Sequence, residues 1–112
     1  MIEKDNILKI INKLKKLERF VIEYAQENNY NNVSIGVFSR EEFENFITYI
    51  SKVNGLVESL SKYITFDVLE DNMLNIRTTS IYAILTDRSK YKKLMTQIED
   101  TYKKHLENDY YA

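Results

Sequence analysis

The chain has 112 residues, 44% hydrophobic and 29% charged, and its sixteen Lys and Arg against seventeen Asp and Glu leave a net charge of −1. That balance separates it from disordered chains, from strongly basic nucleic-acid binders and from acidic nucleic-acid mimics. It contains no Cys, which excludes disulfides, thiolate metal sites and cysteine nucleophiles and favours a reducing compartment.

The length suits one domain over residues 1–112, large enough to bury a core without covalent staples. There is no Pro, and the two glycines are Gly36 and Gly55, so long helices are expected. The opening MIEKDNILKIINKLKK carries charge every few residues. It lacks the apolar run of a signal peptide, and no stretch is apolar enough to cross a membrane. A cytoplasmic location with no membrane contact is the expectation. Asn, Lys, Ile and Tyr are plentiful and have AT-rich codons, which points to an AT-rich source genome.

The first predicted helix starts at Asp5, an N-cap residue, and covers about 5–27. Ile7, Ile10, Leu14, Leu17, Val21 and Tyr24 recur at steps of three and four, forming an apolar seam along one side. Leu8, Ile11, Phe20, Ile22 and Ala25 widen that face beyond a coiled-coil stripe. The Asn-rich stretch Asn28–Asn32 ends the helix. Residues 33–38 alternate and are β-branched, which predicts a short strand.

Ser39-Arg40-Glu41-Glu42 is a capping box that fixes the start of a second helix over about 40–62. Its seam, Phe43, Phe46, Ile50, Val53, Val57, Leu60 and Ile64, continues past Asn54-Gly55. That continuity favours helix on both sides of a kink or break at 54–55, with internal Gly costing about 1 kcal/mol.

From Tyr63 the period turns to two, predicting a hairpin with strands at 63–69 and 73–79. A three-residue loop with Asn72 left-handed opposes Val68 to Leu74 and Phe66 to Ile76. A one-residue slip would oppose apolar to polar residues, so apolar matching selects this register. Thr65, Asp67, Asn75 and Arg77 then share the other face, where Asp67 and Arg77 read either as part of a site or as no more than a diagonal ion pair. The apolar run at 80–86 reads as a fourth strand, with a buried helix as the competing assignment. A last helix follows over about 88–107, with Tyr91, Leu94, Met95, Ile98, Tyr102 and Leu106 on one face. The fold class is therefore α+β, three helices on a small, mainly antiparallel sheet.

Chemistry-bearing motifs are scarce. His105 is the single histidine, beside Lys103 and Lys104, and no Glu stands at helical spacing from it. Glu41, Glu42 and Glu44 suit the opening turn of a helix. Asp67, Glu70 and Asp71 are turn chemistry without the spacing of a calcium loop. Two isolated glycines form no phosphate loop. No catalytic, metal or cofactor residue is assigned, and a non-enzymatic protein is expected.

Nine tyrosines are the remaining oddity. Tyr24, Tyr49, Tyr63, Tyr91 and Tyr102 fall on or beside apolar faces and are expected to rim the core with wet hydroxyls. Tyr30, Tyr110 and Tyr111 fall in loop or tail and suit a protein interface.

The expected function is a protein-binding module acting by protein–protein contact, with a homodimer as one form of it. Its interaction residues would be Leu8, Ile11, Tyr30, Asp67, Arg77, Tyr110 and Tyr111. The AT-rich coding fits a phage or mobile-element accessory or inhibitor protein. The alternative is a nucleic-acid-binding accessory or regulator, using Lys9, Lys13 and Lys16 on the first helix with Arg88, Lys92 and Lys93 on the last.

Overall fold

The structure is a computed structural model that describes the backbone of residues 2–29 and 31–111 and the side chains of 7–29 and 31–104. Helix α1 spans Ile2–Glu27. It begins before Asp5, which lies within the helix rather than capping it, since Ile2, Glu3 and Lys4 tolerate helix well. Phe20 leaves helical geometry at φ −115°, ψ 20°, so the last turns of α1 follow a slightly different axis.

Strand β1 (Ser34–Ser39) follows, and Ser39 then caps α2 (Arg40–Ile50) by accepting from the Glu42 amide at 3.1 Å. The second helix does not run on to residue 62. It ends at Ile50, turns through residues 51–55, and resumes as the short α3, Leu56–Leu60. Gly55 sits at φ 87°, a left-handed conformation that costs an L side chain about 1–2 kcal/mol. Val53, one step of the supposed seam, is 42% exposed. A break longer than the one expected at 54–55 thus overrides the periodic pattern.

Strands β2 (Ile64–Val68) and β3 (Met73–Thr78) form the hairpin in the predicted register, with Phe66 opposite Ile76 and Val68 opposite Leu74. Both Asp71 and Asn72 are left-handed, at φ 59° and 57°. The sheet has the order β1-β3-β2, and both pairings are antiparallel. A bulge between Ser34 and Gly36 interrupts β1. Buried Thr78 holds the start of β1, its hydroxyl accepting from the Val33 amide at 2.8 Å.

Residues 80–86 are not a strand. Ser80 accepts from the Tyr82 amide at 3.1 Å and starts α4, Ile81–Thr86. Ile81 and Ile84 are buried while Tyr82 is 61% exposed, a spacing of three that belongs to a helix face. The last helix, α5, covers Arg88–Tyr111 and runs beyond the expected end near 107.

The α+β class stands, with five helices and three strands among the described residues. Helix α1 packs on α2, α4 and α5, and α2 packs on α5 and on the sheet, around a single apolar cluster. The seam residues Ile7, Ile10, Leu14, Leu17 and Val21 all lie in it. Tyr63, Tyr91 and Tyr102 are buried at 4%, 0% and 3% exposure rather than rimming the core. Their hydroxyls are accommodated by partners inside: Tyr91 donates to the Leu14 carbonyl at 2.8 Å and Tyr63 to Asp87 at 3.2 Å. Among the described residues, no helix is long and apolar enough to cross a membrane.

Candidate functional site

Sheet order decides which surface is left open. With β3 in the centre, β1 and β2 are both edges. Natural edges are usually blunted by bulges, Pro, Lys or a covering element, because unpaired backbone groups invite another strand. The bulge at Ser34/Gly36 interrupts the β1 edge. In β2, Ile64-Thr65-Phe66-Asp67-Val68 pairs with β3 without a register shift and contains no Pro or Lys.

The direction of its backbone groups follows from the ladder. Thr79 N–H donates to the Tyr63 carbonyl and Leu69 N–H to the Met73 carbonyl, both at 2.8 Å. Odd-numbered residues therefore turn their backbone groups toward β3, and Ile64, Phe66 and Val68 turn theirs outward. The same three side chains lie on the helix-facing side of the sheet.

Beside that edge the helices do not close over the sheet. Two adjoining depressions of about 420 and 400 Å³ share Phe43, Ile47 and Phe66. One extends toward Arg40, Glu44 and Thr48, the other toward Val57, Leu60 and Ile64. Together they make an apolar groove between α2, α3 and β2. The rings of Phe43 and Phe66 meet in its middle, their centroids 5.1 Å apart and their planes tilted by 53°. Phe66 is 44% exposed and Val68 65%, so the apolar strip continues along the strand.

The opposite face of the sheet is polar and internally paired. Arg77 Nε donates to Asp67 Oδ2 at 2.8 Å, diagonally across β2 and β3. Ser34 donates to Asn75 Oδ1 at 2.6 Å across β1 and β3. The hydrogen bond from Arg77 holds the Asp67 carboxyl below the usual carboxylate range. On the helical side, Lys15 donates to Glu99 at 2.9 Å and lowers that carboxyl likewise.

Both carboxyls are depressed in the folded state, so each pair contributes its full stability above the unfolded values of about 4 and loses it as pH falls through the lower folded ones. Carboxyl titration followed by NMR should place Asp67 and Glu99 below the other acidic residues. Arg77→Met should return Asp67 to the ordinary range and leave Glu99 unmoved. An unchanged Asp67 midpoint in that variant would contradict the pairing.

The residues singled out from the sequence are scattered. Leu8 is 39% exposed on α1, but Ile11 is fully buried in the core and is not available to a partner. It lies in the apolar cluster with the seam residues, so the core takes up this part of the widened apolar face. Asp67 and Arg77 satisfy each other. Tyr30 lies outside the described residues, and Tyr110 and Tyr111 stand in the last turn of α5 with side chains outside them.

Of the basic residues, Lys9, Lys16, Arg88, Lys92 and Lys93 are exposed. Lys13 is half-buried, 5.8 Å above the Phe38 ring. Lys92 lies by Lys15, Glu18, Arg19 and Glu99, while Lys16 lies by Glu23 and Glu27. Carboxylates thus interleave with the cations on both surfaces. Among the described residues, no three His, Asp or Glu side chains converge as a metal site would require. Phe43, Phe66 and Val68 were not singled out as site residues, because their periodicity marks them as core and only the strand order exposes them. Comparison with protein-family models, curated proteins and solved structures returns no match.

Proposed function

We propose that this protein is a non-enzymatic binding module that acts by protein–protein contact along the β2 edge. The observation that carries the reading is an unguarded edge strand whose outward backbone groups lie beside an apolar groove. Main-chain hydrogen bonds to such an edge give affinity, and pockets for alternate side chains give specificity. Phe43 and Phe66 supply the aromatic anchors on which interfaces concentrate their binding energy. Cysteine-free composition supports a cytoplasmic site of action. The AT-rich coding supports a phage or mobile-element accessory or inhibitor role.

The nucleic-acid reading has less behind it, since Glu18, Glu23, Glu27 and Glu99 lie among the lysines that would carry it. A photo-crosslinking amino acid placed at Val68, and separately at Lys93, tests both readings in the cells that make the protein. A protein adduct of discrete mass from position 68, with none from 93, is the expected result. Crosslinks to nucleic acid from position 93 and none from 68 would overturn it.

A further inference from the structure

The β2 edge is complementary to itself, and we propose that its occupant is a second copy of this chain, paired antiparallel about a twofold axis at Phe66. This rests on the protein-binding reading and names the partner for that surface.

The register follows from geometry. The outward-turned residues of β2 are even-numbered, and a twofold centred on Phe66 pairs Phe66 with Phe66 and Ile64 with Val68 of the other copy. Apolar residues meet apolar residues at every outward position. In the turns that flank the strand, the same register brings Lys62 near Glu70 of the other copy, and it does so twice. Both residues are exposed, so opposite charges close each end of the apolar strip. Shifting the register by two residues breaks this match, since Ile64 would then meet Glu70, or Val68 meet Lys62, and the charges would lose their partners.

The groove accommodates what the second strand brings. Val68 of the other copy lies beside Ile64, at the end where Val57 and Leu60 line the groove. Phe66 of the other copy lies beside Phe66 and Phe43, where the groove is continuous between its two depressions. On the polar face Asp67 is already paired with Arg77, so bringing Thr65 and Asp67 together across the axis leaves no bare charge. The two three-stranded sheets become one of six strands, and the unguarded edge disappears.

Sedimentation equilibrium from low micromolar to millimolar concentration tests this. The native chain should self-associate to a dimer and no further, because the interface is closed by its twofold axis. Lys62→Glu and Glu70→Lys should each weaken the dimer about tenfold, since each change turns two attractions into repulsions. The double variant should recover native affinity, which a general loss of folding would not do. Val68→Lys should weaken the dimer about a hundredfold or more by placing an ammonium on each apolar strip. Its melting curve at monomeric concentration should be unchanged, because Val68 is exposed.

A native chain that stays monomeric throughout overturns the homodimer, as does a dimer that Val68→Lys leaves intact. A double variant no tighter than the single ones overturns the register. The binding reading fails separately: crosslinking from position 68 to a different protein preserves it while excluding the second copy, and no protein adduct there removes both.

Discussion

Replacing Tyr91 with alanine is expected to remove about 3–5 kcal/mol of stability, the range for deleting a large buried aromatic side chain. Tyr91 is fully buried in α5, its ring edge-on to Tyr63 at 5.2 Å and 90°. Its hydroxyl donates to the Leu14 carbonyl in the middle of α1 at 2.8 Å, joining the two longest helices. Burial pushes the phenol pKa well above its ordinary value, with a smaller push from Glu18, so the group remains a donor.

Tyr91→Phe separates packing from the hydrogen bond. The Leu14 carbonyl keeps its intrahelical partner when the phenol is gone, so this change should cost about 1 kcal/mol. Urea unfolding should show both midpoints lowered at unchanged slope, with alanine far below phenylalanine. Nearly equal losses for the two variants would mean that the hydroxyl, and not the ring, connects α1 to α5. An alanine variant as stable as the native chain would contradict the placement of Tyr91 in the core.

The hairpin was legible because two alternating strands and a short loop admit few registers, and only one matched Val68 to Leu74 and Phe66 to Ile76. The Ser39 cap was legible because a capping box is local chemistry. What misled was local pattern overridden by neighbours. Ser80-Ile81-Tyr82-Ala83-Ile84-Leu85 has β-branched residues in a run of strand length, yet no sheet edge receives it and Ser80 caps it as a helix. The second seam counted Val53 as helix and placed a break at 54–55 alone, while the chain turns from residue 51 to bring α3 toward β2.

The candidate site was hidden for a related reason. Phe66 and Val68 carry the same alternation whether β2 is central or peripheral. Only the pairing of β1 with β3, a contact between distant segments, places β2 at the edge and turns two apparent core residues outward.

The amide protons of Phe66 and Val68 are expected to show the largest response of any in the sheet to protein concentration. On a free edge they face solvent and exchange as exposed backbone does. Paired with another copy they become interior ladder bonds, and a populated dimer should slow them by about a hundredfold or more, in proportion to the fraction paired. Thr65 and Asp67 bond inward to β3 and serve as controls with little concentration dependence. Val37, outward-facing on the bulged β1 edge, should not respond either.

Residue-resolved amide exchange at micromolar and millimolar concentration is therefore the measurement that bears most directly on the β2 edge as the contact surface. Slow exchange at Phe66 and Val68 at high concentration, lost on dilution, is the expected result. Open-edge rates at both residues at both concentrations, in a chain whose Thr65 and Asp67 amides remain protected, would contradict the β2 edge as the contact surface.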